Sequence, residues 1–147
     1  MKVVLDTNVL IDAFKDEYSY QKRIIDEVIR GRIEAFANNQ TLRENRLILE
    51  RLISDSRFKR ELESLFSQIN SVENHRRINI VSDPEDNKIL ESAVEAQADF
   101  LVTEDKVLLE LAQYSGVKIV EPIVFWKTYE ESFEDPWQKW IRTFTGQ

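Results

Sequence analysis

The chain has 147 residues, a formal net charge of −7, no cysteine, 42% hydrophobic and 32% charged side chains. That is the make-up of one soluble globular domain large enough to bury a real core. It excludes a disulfide framework and a thiolate metal site, and no apolar run approaches the ~20 residues that span a bilayer.

Val3-Val-Leu5 is a short apolar run that reads as a buried parallel strand. Met1-Lys-Val-Val-Leu is followed at once by Asp6, which excludes a signal-peptide core; with no cysteine present, the expected compartment is the cytoplasm. Asp6-Thr-Asn8 are helix-starting residues, and Val9, Leu10, Ile11, Ala13 and Phe14 continue at helical spacing to about Lys15. Tyr18 to Arg30 reads as a second helix ended by Gly31, and Ile33 to Phe36 as a second strand. Asn38 to Thr41 forms a turn and cap. A helix then runs from Leu42 to Ile53, with Leu42, Leu49, Leu52 and Ile53 as candidate core. Ser54-Asp55-Ser56 breaks it, and the next helix covers Arg57 to about Val72, an antiparallel hairpin with the first.

Ile78-Asn-Ile-Val81 is the expected third strand. Asp83-Pro84 caps a helix with Ile89, Leu90, Ala93 and Val94 on its apolar face. Phe100 to Thr103 is the fourth strand, Glu104-Asp105 opens a helix ended by Gly116, and Val117 to Val120 is the fifth strand. Pro122 starts a short helix through Phe125 and Tyr129. Strands alternating with helices predict an α/β fold: a single-domain, three-layer sandwich around a parallel sheet of about five strands. The domain is expected over residues 1–131. In the tail, 132–147, Trp137, Trp140, Ile141 and Phe144 fall on one helical face. That face is expected to pack on the domain or at a dimer contact, with base stacking as a further alternative.

Four acids take comparable places in this plan. Asp6 follows the first strand, Glu44 lies early in the helix after the second, Asp86 opens the helix after the third, and Asp105 follows the fourth. In a parallel sheet all four lie at its carboxyl edge, where open α/β sheets build sites. Singly, each has a structural explanation: a helix cap for Asp6, dipole complementation for Asp86 and Asp105, solvation for Glu44. Together they repel one another and call for a cation, and oxygen-only ligands select Mg²⁺ or Mn²⁺ over zinc. His75, the one histidine, sits in the charged Asn74-His-Arg-Arg77 and reads as a solvated or phosphate-facing side chain.

The charge is unevenly divided. Lys22 to Arg77 carries 12 basic against 9 acidic residues, net +3; Asp83 to Asp135 carries 4 against 14, net −10. Either a phosphate-binding rim stands beside a carboxylate-rich site, or these are solvated helix faces.

Val3-Val-Leu-Asp6-Thr-Asn8-Val-Leu resembles the opening motif of the PIN-domain family. Asp83-Pro-Glu-Asp86-Asn-Lys-Ile-Leu and Ala98-Asp-Phe-Leu-Val-Thr103-Glu-Asp105 resemble its second half. Gln40-Thr-Leu-Arg-Glu44 and Pro122-Ile-Val-Phe125-Trp are similar to its second-acid helix and closing segment. The resemblance covers about residues 2–130. It implies a metal-dependent ribonuclease with sheet order 3-2-1-4-5, similar to the toxin half of toxin–antitoxin pairs often called VapC-like. It places the family's acids on Asp6, Glu44, Asp86 and Asp105, its first-motif polar residue on Asn8 and its Ser/Thr before the last acid on Thr103. Two departures stand out: Asn45 where an apolar residue is common, and the additional acid Glu104.

The chemistry expected is Mg²⁺- or Mn²⁺-dependent cleavage of single-stranded RNA. Asp6, Asp86 and Asp105 hold metal, Glu44 stands at the site's edge, Asn8 and Thr103 orient carboxylates, and Arg43 and Arg46 contact phosphates. Expected partners are RNA, a cognate antitoxin and a second copy of the chain, with no membrane. The alternative is a catalytically inactive PIN-like module that binds RNA or protein. A receiver-like domain would place a lysine after the last strand, whereas Lys118 lies within it.

Overall fold

The computed structural model describes residues 1–53 and 56–146. The chain begins with strand β1 (Lys2–Leu5), followed by helices α1 (Thr7–Lys15) and α2 (Tyr20–Ile29). Strand β2 (Glu34–Asn38), helices α3 (Asn39–Leu52) and α4 (Ser56–Gln68), and strand β3 (Asn70–Val72) come next. Helix α5 (Pro84–Glu95), β4 (Phe100–Val102), α6 (Lys106–Leu111), β5 (Gln113–Tyr114) and β6 (Val117–Val120) continue the alternation, and α7 (Pro122–Glu131) and α8 (Pro136–Thr145) close it.

The sheet order is β3-β2-β1-β4-β6-β5. The first five run parallel, in the predicted 3-2-1-4-5 order, and β5 adds a short antiparallel edge against β6. Alternation along the strands divides the core between two faces, as a period of two requires. Val3, Leu5, Phe100 and Val102 pack with the apolar stripes of α1, α2, α4 and α7. Val4, Leu101 and Ile119 pack with Leu90 and Ala93 of α5 and Leu108 of α6. This is the three-layer sandwich, with its switch point between β1 and β4.

Several predicted bounds are corrected. The third strand is Asn70–Val72, carved from the end of the predicted Arg57–Val72 helix, and it pairs in parallel with Phe36 to Asn38 of β2. Ile78 to Val81 forms no strand: its amides are taken by side chains of α5. Ile78 donates to Glu91 Oε1 at 2.8 Å, and Ile80 and Val81 both donate to Asn87 Oδ1 at 3.1 Å. Helix α3 starts at Asn39, because Asn38 caps it through the amide of Thr41. Of its proposed core, Leu49 and Ile53 are buried but Leu42 is only half-buried and Leu52 is exposed. The expected break at Ser54–Asp55 lies outside the described residues. After α6, Ser115 and Gly116 both take positive φ, the two-residue hairpin that a primed turn demands.

Candidate active site

Asp6 leaves the end of β1 at the switch point. Its amide donates to Val102 O of β4 at 3.0 Å, and its carbonyl accepts the first bonds of α1. It stands at the N-cap position, yet its carboxylate makes no capping bond. Instead Oδ2 accepts the hydroxyl of Thr103 at 2.7 Å. Thr103, fully buried, also accepts the amide of Asp105 at 3.0 Å. One side chain thus links the acid after β1 to the acid after β4. Asp105 caps α6, with Oδ1 accepting from Val107 and Leu108; Oδ2 accepts no hydrogen bond among the described residues. Asp86 lies in the first turn of α5, behind the Asp83 cap and Pro84, half-buried.

These three carboxylates feel one another. Burial pushes Asp6 above the usual carboxylate range and the charge of Asp105 adds to it, against the opposing pull of the Thr103 hydroxyl and the amides of Thr7 and Asn8. Asp86 is pushed up to about 6, first by burial and then by the charges of Asp105, Asp83, Asp6 and Glu85. Among the described residues its side chain accepts no hydrogen bond and makes no ion pair.

Other predicted residues are placed differently. Glu44 is exposed and accepts from Gln40 Nε2 at 3.1 Å; the charges that do most to raise Asp6 and Asp86 come from other acids. Its neighbour Asn45, about 100° around the helix, is the buried residue, and its Oδ1 accepts the Thr7 hydroxyl at 2.8 Å. Asn45 therefore ties α3 to the start of α1, while Asn8 is exposed. The signal for Asn45 was its polarity at a place where apolar residues are common. Glu104 turns to another cleft, where it accepts from Gln21 Nε2 at 2.6 Å. Arg46 is engaged within the α3–α4 hairpin: Nη2 reaches both oxygens of Glu63 at 2.7 Å, and Nε reaches Glu50 at 3.2 Å. Arg43 is exposed beside a cleft of its own.

A hard divalent cation suits this set. The donors are oxygens only, the charges of Asp105 and Asp6 add to the burial that pushes Asp86 up, and neither cysteine nor histidine stands with them. No three acidic, histidine or cysteine side chains among the described residues are drawn together into a closed metal cage. An Mg²⁺-type site does not need one: that ion keeps several waters and is held by one or two carboxylates plus substrate phosphates.

A doubly wound α/β domain with carboxylates gathered where the strand order reverses has the build of a hydrolase that works on phosphate esters. The chain matches the family model for the PIN domain over residues 2–107 and belongs to that family, whose members are generally nucleases. No curated protein and no solved structure matches it. The matched span holds all four predicted acids; β6 and α7 complete the sandwich beyond it.

Proposed function

We propose that the chain is a Mg²⁺- or Mn²⁺-dependent endoribonuclease cleaving single-stranded RNA. The observation that supports this best is the grouping of Asp6, Asp86 and Asp105, each half-buried at the carboxyl edge of the sheet, two of them raised first by burial and then by their neighbours' charge. Asp6, Asp86 and Asp105 would hold the ion. Once bound, the ion supplies charge to a scissile phosphodiester and makes water a better nucleophile at neutral pH. Thr103 keeps Asp6 in one orientation, the role that makes such outer partners matter tenfold or more for metal sites, on the order of 10–100-fold. The cap that Asp105 makes fixes one of its oxygens and leaves the other to the site. Glu44 serves at the rim, where its exposure lets it approach substrate or a hydrated ion.

The reading extends to biology: a toxin of a toxin–antitoxin pair, acting in the cytoplasm as a homodimer and restrained by a cognate antitoxin. Support for it is the likeness of the motifs to small toxin ribonucleases, and the finding that no helix among the described residues is long and apolar enough to cross a membrane is compatible with it. A small upstream gene encoding a DNA-binding protein is the expected neighbour.

The open spacing of the acids and the exposure of Glu44 favour a second reading, an RNA-binding module without turnover. Cleavage of a labelled RNA oligonucleotide decides between them. The expected result is cleavage with Mn²⁺ or Mg²⁺, none with excess EDTA, and loss of at least 100-fold, by order of magnitude, in a folded Asp6→Asn protein. Binding of RNA with no cleavage under any metal would select the module.

A further inference from the structure

The loop 73–83, whose segment Ile78–Val81 reads in the sequence as a strand, is held by side chains instead. Asn87, Glu91 and Glu95 recur at i, i+4 and i+8 along α5, so they share one face. Glu91 and Asn87 take the loop amides described above, Asn87 Nδ2 returns a bond to Val81 O at 2.8 Å, and Glu95 accepts the amide of His75 at 3.0 Å. A second set of bonds joins this loop to the end of β2. Asn38 Nδ2 donates to Ser92 Oγ at 3.3 Å, Ser92 Oγ donates to Asn74 Oδ1 at 3.2 Å, and Asn74 Nδ2 donates to Lys88 O at 3.3 Å. Asn38 and Ser92 are buried. The loop is therefore a fixed wall.

Between that wall and α3 lies an open cleft of about 290 Å³. Arg43, Arg77 and Lys88 line it together with Asn39 and Gln40, the Nε2 of Gln40 donating to Glu44. Two acids, Glu73 and Glu91, also line it, so the three cations outnumber them by one. Buried Glu91 spends Oε1 on the amide of Ile78, and Glu73 stands out in solvent beside His75. Lys88 shares Glu85 at 3.4 Å. Arg43 and Arg77 have no ion pair among the described residues. The cleft lies at the same carboxyl edge of the sheet as the acids: Asn38 ends β2, which runs parallel to β1, and Lys88 stands in the opening turns of α5 as Asp86 does, about 200° around the helix from it.

We propose that this cleft is a nucleotide subsite, seating the phosphate of an RNA residue that flanks the scissile bond on Arg43 and Arg77 and its base edge on Asn39 and Gln40. The proposal rests on the RNA-cleaving reading above. Arginine forks match phosphate oxygens in pairs, and unstacked bases of single-stranded RNA offer their edges to amides. A wall fixed before binding loses little freedom on binding, so the subsite favours some bases over others as well as adding affinity.

The test uses the full chain carrying Asp6→Asn, in EDTA, titrated against fluorescent single-stranded RNA homopolymers at several salt concentrations. In this background Arg43→Ala and Arg77→Ala are each expected to weaken binding roughly tenfold at low salt and to lower the salt slope by about one. Asn39→Ala is expected to change the ranking of the homopolymers with the salt slope unchanged, and Lys127→Ala, on α7, to change neither. All four side chains are exposed, so unaltered thermal unfolding is the accompanying check. Unchanged affinity and slope in both arginine variants overturns the subsite, as does an Asp6→Asn protein that binds no RNA. In the metal-loaded chain with Asp6 intact, hydrolysis of bis(p-nitrophenyl) phosphate is the separate readout of the nuclease reading, and it is expected to survive Lys127→Ala. Failure of that hydrolysis in the unsubstituted chain overturns the nuclease reading, while the RNA titrations still decide the cleft.

Discussion

Asp86 is the residue on which the site's electrostatics turn. Its ordinary value of 3.8 is pushed up to about 6 in the fold. Between those two values the native state holds more proton on this group than the unfolded chain does, so its contribution to stability falls as pH rises through that window and stays lost above it. A cation bound by the native state alone, as proposed above, would take the place of the missing proton at neutral pH. In metal-free protein, Asp86→Asn is therefore expected to raise the melting temperature at about pH 7.5 and to change it little at about pH 4.5. Calorimetry at both values measures this; equal shifts at the two would show that Asp86 carries no repulsion. The places of Asp6 and Asp105 were legible, because a carboxylate close behind a central strand has its position set by topology, whereas Asp86 is placed by α5, well past the end of β3. Glu44 was less so. On a helix, one residue's shift turns a side chain about 100°, and the motif does not say whether position 44 or 45 faces the neighbouring strand end. Here the buried place went to Asn45, whose Oδ1 accepts the Thr7 hydroxyl.

At the scale of elements, the central strands were readable because burial on both sides demands apolar runs, and Val3-Val-Leu5 and Phe100-Leu-Val102 have them. Edge strand β3 is not bound by that demand. Asn70-Ser-Val72 is mostly polar and exposed, while the more strand-like Ile78-Asn-Ile-Val81 gives its amides to α5. The sequence pattern reports burial, and at an edge burial and sheet pairing part company. The helix layer has its own polar lock. Glu27 of α2 is buried, and its Oε2 accepts the Tyr129 hydroxyl of α7 at 2.6 Å, while Oε1 meets Arg30 at 2.9 Å. Burial and then Glu27 push the Tyr129 phenol up to about 12. Tyr129→Phe removes one donor and leaves a buried carboxylate oxygen unsatisfied, at an expected cost of about 1–3 kcal/mol. Urea unfolding reads this directly. A change below about 0.5 kcal/mol, the range of ordinary surface substitutions, would mean that water replaces the phenol.

At the scale of the molecule, α8 is the piece the sandwich does not absorb. It forms after the Asp135 cap and Pro136, as its sequence predicts, and contributes no buried residue. Arg142 pins it to α7 and the connecting turn through Glu131 at 3.5 Å and Glu134 at 2.8 Å. Among the described residues its aromatic face stacks on itself: Trp137 on Trp140 at 5.1 Å, Trp140 against Phe144 at 4.6 Å. These rings remain 64%, 51% and 71% exposed. Fully covered, each would remove roughly 150–250 Å² from water, at about 25 cal/mol per Å². A second copy offers the same face, and antiparallel pairing of two such helices sets the rings against one another under two-fold symmetry. This is the contact expected in the proposed homodimer. Ending the chain after Glu134 keeps Phe133 on the Tyr129 ring, 4.7 Å away, and removes the aromatic face alone. The shortened chain is expected to sediment as a monomer where the full chain sediments as a dimer, and Trp140→Ala to shift the equilibrium the same way. Hydrolysis of a small phosphodiester per chain is expected to be unchanged, since Asp6, Asp86 and Asp105 all lie in the sandwich. If sedimentation finds the same mass for both chains and RNA affinity falls instead, the aromatic face belongs to the substrate and the dimer contact is withdrawn.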